Sequence, residues 1–196
     1  MASTNTVLAS SNPGKLQELQ LALQDTGLTL VTQDALGVTA AVEDGQTFIE
    51  NALKKARHAA LHTGLPAIAD DSGLVVPALD GEPGIHSARY SGRGDAGNNA
   101  KLLSAMAELS GDDRSAWYFC VLVLLRSASD PAPLIAEGHW HGWIAEEPRG
   151  TGGFGYDPLF RIDDQGKTAA QLEPLEKQQL SHRGLAVARL RHLLDG

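Results

Sequence analysis

Carboxylate side chains gather in two short stretches of the first half of the chain. Glu43 and Asp44 form one pair, and Asp70 and Asp71 follow the apolar run 67–69. Adjacent carboxylates repel each other unless a cation or basic group lies between them, and Mg²⁺ prefers oxygen ligands. One interpretation is metal-assisted acid–base chemistry; the alternative is an aspartate that caps a helix or forms an Asx turn.

A fifth acidic residue, Glu50, has a structural explanation of its own. Thr47-Phe48-Ile49-Glu50 has the pattern of a helix capping box, which would occupy Glu50. On the helix that this box begins, Lys55 follows Asn51 by one turn, so both side chains share a face.

The segment around Ser10 has the character of a phosphate-binding helix start. Ser10, Asn12 and Lys15 lie where a short apolar run passes into a helical pattern. Helix N-termini bind phosphates through free N–H groups and the positive end of the helix dipole. The positive charge of Lys15 is unfavourable at the positive end of the helix dipole, so an anionic partner would explain its position. The alternative is that Ser10 or Asn12 is an ordinary N-cap.

A later set of residues suits a flat base. Phe154-Gly155-Tyr156-Asp157 is a glycine-containing loop with two aromatic rings. Lys177 and Ser181-His182-Arg183-Gly184 concentrate hydrogen-bond donors that could contact a base edge or a phosphate. Together with the carboxylates and the helix start, these residues predict a nucleotide pocket.

Other suggestive patterns lack the required context. Residues 150–155 match GxGxxG, but loop-forming residues flank them, and Gly14-Lys15 lacks the remainder of a P-loop. His139 and His141 would share one face of a strand without a third metal ligand nearby, and Cys120 reads as a buried apolar residue. We expect no Rossmann, P-loop or histidine–metal site here.

Composition limits the class of partner. The chain has 196 residues and a formal net charge of −8, with 42% hydrophobic and 20% charged residues. Binding to a nucleic-acid backbone needs clustered Lys and Arg, so a nucleic-acid polymer is not expected. A single cysteine excludes an internal disulfide. Without an apolar stretch of 18 residues or a signal-like N-terminus, we expect a soluble cytoplasmic protein with no membrane contact.

Strand-like and helical patterns alternate without a linker, which predicts one mixed α/β domain over residues 1–196. Strands are predicted at 6–9, 28–32, 66–69, 117–126, 134–144 and 158–162. Helices are predicted at 13–27, 48–64, 100–109 and 173–194. A strand that ends at residue 69 would place Asp70 and Asp71 at its carboxyl end, where α/β sheets bind ligands.

Six ordered motifs resemble those of one known family. They occupy residues 10–15, 47–52, 69–74, 83–90, 154–158 and 181–184. With these motifs the chain resembles the inosine triphosphate pyrophosphatase family, which includes the bacterial dITP/XTP pyrophosphatases. The resemblance implies an elongated two-lobed α/β fold with a central mixed sheet flanked by helices, a nucleotide cleft between the lobes, and a homodimer.

The same resemblance implies an activity and a role for each matching residue. The activity is Mg²⁺-dependent hydrolysis of ITP, dITP and XTP to the monophosphate and pyrophosphate, which clears them before incorporation into DNA or RNA. Asp71 would be the catalytic carboxylate, and Glu43, Asp70 and Asp71 the metal ligands. The implied substrate-binding residues are Ser10, Ser11, Asn12, Pro13, Gly14, Lys15, Lys55, Ser72, Phe154, Gly155, Tyr156, Asp157, Lys177, His182 and Arg183. Because the first acidic pair is shifted from the family pattern, the role of Asp44 stays open.

The purine C6 position is the expected basis of substrate discrimination. ITP and XTP carry a carbonyl there that a donor such as Arg183 can satisfy, whereas the adenine amino group would leave that donor unpaired, at about 1–3 kcal/mol. Two alternatives remain: a broader nucleoside triphosphate pyrophosphatase or phosphatase, and a non-enzymatic nucleotide-binding module. The identity of the products would distinguish the first alternative from the activity that the resemblance implies. The carboxylates Glu43, Asp70 and Asp71 argue against the second, because a protein that only binds nucleotides would not need them beside the phosphates.

Overall fold

The computed structural model describes residues 4–10, 13–163 and 165–195, without the side chains of 13–15 and 18. In that part of the chain the strands are β1 (Thr4–Leu8), β2 (Leu28–Thr32), β3 (Ala67–Val75), β4 (Ser115–Leu125), β5 (Leu134–Ile144) and β6 (Phe160–Arg161). The α-helices are α1 (Pro13–Ala22), α2 (Phe48–Thr63), α3 (Gly94–Ala105), α4 (Pro174–Leu180) and α5 (His182–Asp195). Of the helices described, none is long and apolar enough to cross a membrane.

The strands form one mixed sheet in the order β2-β1-β3-β4-β5-β6. Strand β1 runs parallel to both β2 and β3, with Val7 opposite Ala67, whereas β5 and β6 are antiparallel, with Trp143 opposite Arg161. The prediction of an α/β fold with a central mixed sheet flanked by helices is therefore confirmed.

The chain divides into two compact units, each with an apolar core of its own. The first unit comprises the described residues of Met1–Asp71, Cys120–Gly138 and Leu185–Gly196. The second comprises Ser72–Phe119 and His139–Gly184 without Asp164. Leu8, Leu19, Leu23, Ile68 and Leu122 belong to the first core, and Leu74, Leu102, Met106, Tyr118 and Phe160 to the second. The single two-lobed domain and its cleft stay predictions.

Strand β3 corrects the predicted position of two acidic residues. The strand continues to Val75 instead of ending at residue 69, so Asp70 and Asp71 lie inside it and not at its carboxyl end. Leu74 is fully buried, and its burial in the strand outweighs the turn preference of Asp-Ser-Gly.

Several predicted boundaries also move. The predicted tail helix is two helices, because Ser181 is extended and its Oγ accepts a hydrogen bond from the Gly184 N–H at 3.2 Å, within the first turn of α5. Helix α1 ends at Ala22, α3 begins at Gly94, and β6 contains two residues. Gly94 and Asp95 have no apolar periodicity, so the helical pattern in the sequence begins only at residue 100.

Helix α2 begins and ends as its sequence predicts. Glu50 N–H donates to Thr47 Oγ1 at 3.2 Å, and Thr47 N–H donates to Glu50 Oε2 at 2.9 Å, which completes the capping box. Gly64 ends the helix in the left-handed conformation, with φ 69°. Glu50 thus has its structural role, and α2 is a defined support for the polar side chains on its buried face.

Candidate active site

A largely buried lysine on α2 brings two of the predicted carboxylates together. Lys55 Nζ lies 3.0 Å from Glu43 Oε1 and 3.4 Å from Asp71 Oδ1, and its side chain is only 12% exposed. Glu43 comes from the loop before α2, and Asp71 from β3. Three residues distant in sequence therefore form one charged cluster.

The charges of this cluster shift its pKa values. Burial raises the pKa of Asp71, with a further contribution from Glu43, and outweighs the opposing effect of Lys55. Burial works to lower the pKa of Lys55, but Asp71, Asp70 and Glu43 together raise it. The protein thus holds a lysine that stays protonated beside a carboxyl group that binds a proton more readily than usual.

Glu43 and Asp44, which are adjacent in sequence, have different surroundings. Asp44 is exposed and pairs with Lys54 at 2.6 Å, which lowers the pKa of Asp44. Glu43 reaches Lys55 instead. Because Asp44 has a surface partner, the structure favours Glu43 as the member of this pair that belongs to the cluster. Asp70, next to Asp71 in β3, is buried.

Asn51 is a site residue that the sequence reasoning did not identify. Its side chain is buried, and Gly45 N–H donates to its Oδ1 at 2.8 Å, which ties the loop of Glu43 to α2. A Cβ atom on Gly45 would lie 2.6 Å from that oxygen, so the approach requires glycine. The signal available in the sequence was the position of Asn51, one turn before Lys55 on the same helix face.

The acidic cluster fits the demands of a hard cation. Asp71 Oδ2 is buried and has no hydrogen-bond partner among the residues that the structure describes. The described side chains contain no group of three or more His, Cys, Asp or Glu that could hold a metal by themselves. Mg²⁺ commonly takes one or two protein carboxylates and completes its ligands with water and substrate phosphates. Glu43 and Asp71, which both contact Lys55, supply two carboxylates of that kind, and Asp70 lies next to Asp71 in β3.

The loop with Phe154 forms a second polar region, in the second unit. Phe154 is 58% exposed, and Lys177 Nζ and the Arg183 guanidinium lie 4.7 and 5.8 Å from its ring centroid. Asp157 is buried; it accepts a hydrogen bond from Phe154 N–H at 2.8 Å and pairs with Lys177. A Cβ atom on Gly153 would overlap the Asp157 carboxylate. The region offers an exposed aromatic ring beside two cations.

Two further residues of this region have buried side chains. His182 stacks on Tyr118, with ring centroids 4.7 Å apart and planes 8° from parallel. The Tyr156 hydroxyl donates to Ser87 C=O at 2.8 Å, and its ring is buried. Of the two aromatic rings in the loop, Phe154 is therefore the exposed one, and Tyr156 supports the loop from below.

Other predicted site residues can be placed only in part. Ser11 and Asn12 lie outside the described residues, and for Pro13, Gly14 and Lys15 the backbone alone is described, in the first turn of α1. Ser10 follows β1, and Ser72 lies within β3; both are partly buried. The phosphate-binding role of this helix start stays a prediction.

The glycine-rich stretch, the cysteine and the histidine pair have the following surroundings in the structure. Residues 150–155 form an irregular loop, and Cys120 is fully buried. His139 and His141 are exposed, with ring centroids 6.2 Å apart.

Comparison with known proteins identifies the family. A model of the Ham1 family matches residues 6–193. The dITP/XTP pyrophosphatase of Shigella flexneri is 57% identical over 191 residues, which cover 96% of this chain and 95% of that protein. The dITP/XTP pyrophosphatase of Methylococcus capsulatus is 54% identical and covers 97% of this chain and 98% of its own length. A HAM1 protein from Coxiella burnetii has a similar structure, with a TM-score of 0.93, 48% identity and 98% of both chains covered. These matches confirm the resemblance seen in the six motifs, and the chain belongs to the Ham1 family.

Proposed function

We propose that this protein hydrolyses the non-standard purine nucleoside triphosphates ITP, dITP and XTP to the monophosphate and pyrophosphate. The observation that carries the proposal is the Glu43–Lys55–Asp71 cluster, in which the Lys55 and Asp71 side chains are largely buried. It occurs in a chain that matches dITP/XTP pyrophosphatases over 96% of its length. Such a reaction would remove these nucleotides before they enter DNA or RNA.

Asp71 is suited to accept the proton of the attacking water. The water oxygen forms a bond to the α-phosphorus, the bond from that phosphorus to the bridging oxygen breaks, and pyrophosphate leaves. A general base works best when its pKa approaches the working pH, and burial moves the pKa of Asp71 in that direction. Lys55, which stays protonated, offsets negative charge beside the reacting phosphate.

Glu43, Asp70 and Asp71 would hold the divalent cation, which we propose to be Mg²⁺. When bound, this ion would neutralise phosphate charge and stabilise the leaving pyrophosphate. The unpartnered Asp71 Oδ2 supports the assignment. With one oxygen facing Lys55 and the other without a hydrogen-bond partner among the described residues, the Asp71 carboxylate has an oxygen available for a ligand.

The remaining predicted residues would bind the nucleotide. Residues 10–15, together with Lys55 and Ser72, would hold the triphosphate, since a helix start and a lysine are suited to phosphate. Phe154 would stack on the purine, and Lys177, His182 and Arg183 would contact the base and sugar. Asp157 would keep Lys177 in place, because the two side chains already form an ion pair.

A cytoplasmic homodimer without nucleic-acid or membrane partners completes the proposal. The net charge of −8 supports the absence of a nucleic-acid partner. Light scattering of the purified protein tests the dimer, which a monomeric mass would contradict.

A turnover panel tests the activity. The purified chain is incubated with ITP, dITP, XTP, ATP and GTP, each with Mg²⁺ and with EDTA, and products are separated by ion exchange. We expect pyrophosphate and monophosphate from the first three nucleotides, and only with the metal. Release of inorganic phosphate and diphosphate would instead indicate a phosphatase, and binding without turnover would indicate a nucleotide-binding module.

A further inference from the structure

Helix α3 holds the backbone of the loop that presents Phe154. Gly155 N–H donates to Asp95 Oδ2 at 2.7 Å, and Asn99 Nδ2 donates to Gly155 C=O at 2.9 Å. Asp95 and Asn99 are four residues apart in α3, so they lie on one face of the helix. Both polar groups of Gly155 are therefore bound by side chains from a distant part of the sequence.

These two hydrogen bonds fix Gly155, whose backbone conformation determines the direction of the loop. Gly155 has φ 62°, in the left-handed region that favours glycine, and the loop forms no helix or strand that could fix it. Phe154 precedes Gly155 directly, and its own N–H is bound by Asp157. Because the backbone is held on both sides of the Phe154 side chain, the direction of its exposed ring depends on α3.

Helix α3 is itself anchored, which makes it an effective support. Asn98 is buried; its Oδ1 accepts from Ser91 N–H at 2.7 Å, and its Nδ2 donates to Ser87 C=O at 3.3 Å. Tyr156, the residue after Gly155, donates to the same Ser87 C=O. The loop and α3 thus share a connection through Ser87 in addition to the direct bonds.

The side chain of Asn99 includes a buried polar atom that destabilises the fold. Its Oδ1 is buried and has no hydrogen-bond partner among the described residues. An unsatisfied buried oxygen destabilises a fold, and an apolar side chain would avoid that cost. Among the described residues, Gly155 is the partner that the Asn99 amide binds, so this bond offsets part of that cost.

We propose that Asp95 and Asn99 are positioning residues for purine recognition. They clamp Gly155, and the clamp keeps the Phe154 ring and the Asp157–Lys177 pair in the arrangement that distinguishes one purine from another. The inference rests on the proposed function and adds two residues that determine its specificity without contact with the reacting atoms.

Kinetics of single variants test the clamp. Asp95→Ala and Asn99→Ala each remove one bond to Gly155, whereas Asp95→Asn keeps an oxygen that can accept from Gly155 N–H. Asp163→Ala is the matched control, because Asp163 Oδ1 also accepts a backbone N–H, that of Lys167 at 2.9 Å, elsewhere in the second unit. For both clamp variants we expect KM for ITP to rise roughly tenfold, the size of one hydrogen bond to a fixed partner, with kcat within about twofold.

The preference for ITP over ATP separates positioning from mere stability. The ratio of the two kcat/KM values should fall in Asp95→Ala and Asn99→Ala and stay near the wild-type value in Asp95→Asn and Asp163→Ala. Should Asn99→Ala fail to fold, Asp95→Ala decides, since its carboxylate is on the surface. Unchanged KM and preference in a folded variant would overturn the clamp while wild-type turnover upholds the proposed function. A wild-type protein that does not hydrolyse ITP would overturn both.

Discussion

The acidic cluster and the Phe154 loop achieve their arrangement by opposite means. In the cluster, acidic side chains from a strand and from the loop before α2 contact a largely buried lysine of that helix. In the loop, an exposed ring is carried by a backbone whose N–H and C=O groups are bound by other side chains. Charge and burial determine the arrangement of the acidic cluster, whereas hydrogen bonds from side chains to the backbone determine the conformation of the Phe154 loop.

This difference predicts different consequences of mutation. A group that transfers a proton depends on its own charge, so an isosteric change can abolish its function while the fold persists. A group that stacks on a base depends on position and area, so its loss weakens binding without changing the chemical step. Mutations in the acidic cluster should therefore lower kcat, and mutations in the Phe154 loop should raise KM.

The largest effect is expected at Asp71. Asp71→Asn keeps the shape of the side chain but removes the proton acceptor, so kcat for ITP should fall by about 10²–10⁴-fold. Asp44→Asn is the matched control, because Asp44 is an acid that pairs with Lys54 on the surface. Steady-state assays with saturating ITP and Mg²⁺ measure both variants. Near-normal turnover by Asp71→Asn, or an equal loss in Asp44→Asn, would contradict the assignment of Asp71.

A smaller effect is expected at Phe154. Phe154→Leu removes the exposed ring and retains an apolar side chain, so KM for ITP should rise roughly tenfold, within the range of one base–aromatic stack, with kcat nearly unchanged. Leu175→Ala removes another exposed apolar side chain in the second unit and should leave KM unaltered. A Phe154→Leu variant that loses kcat at constant KM would show that the loop takes part in the chemical step.

Local patterns predicted the elements that support the acidic cluster. The capping box at Thr47 and Glu50 marked the start of α2, and helical spacing put Lys55 on the face of Asn51. These signals are short-range, because a cap satisfies backbone groups within a single turn. The fold class followed from the same kind of information, namely alternation of helical and strand-like periodicity.

Features that depend on tertiary contacts were beyond the sequence. Strand β3 was predicted too short, because the burial of Leu74 opposes the local turn preference. The contact of Gly45 with Asn51 and the bonds of Asp95 and Asn99 to Gly155 also have no local signature. In these hydrogen bonds a side chain binds the backbone of another segment, and neither segment alone shows a pattern that requires the bond.

The smallest expected effect is on thermal stability. The pH dependence of this effect should have opposite signs for Asp71 and Asp44. Burial raises the pKa of Asp71 above its ordinary value of 3.8, so the folded protein binds more protons than the unfolded chain just above that pH. Stability linked to Asp71 is present below this range and is lost as pH rises through it. The Asp71→Asn variant lacks this carboxyl group and does not lose that stability. The Tm of the variant minus the Tm of the wild type should therefore increase between pH 4 and pH 7. Thermal unfolding in EDTA measures the difference without bound metal.

Asp44→Asn should show the opposite trend in the same experiment. Lys54 lowers the pKa of Asp44, so this carboxylate adds stability above its ordinary pKa and loses it as pH falls. The Tm of Asp44→Asn relative to wild type should therefore decrease slightly between pH 4 and pH 7, and the change should shrink at high salt because the pair is exposed. Lys55 stays protonated over this range, so its titration adds to neither trend. Parallel trends in the two variants would mean that burial does not govern the charge of Asp71, and the contrast between the cluster and the surface pair would lose its basis.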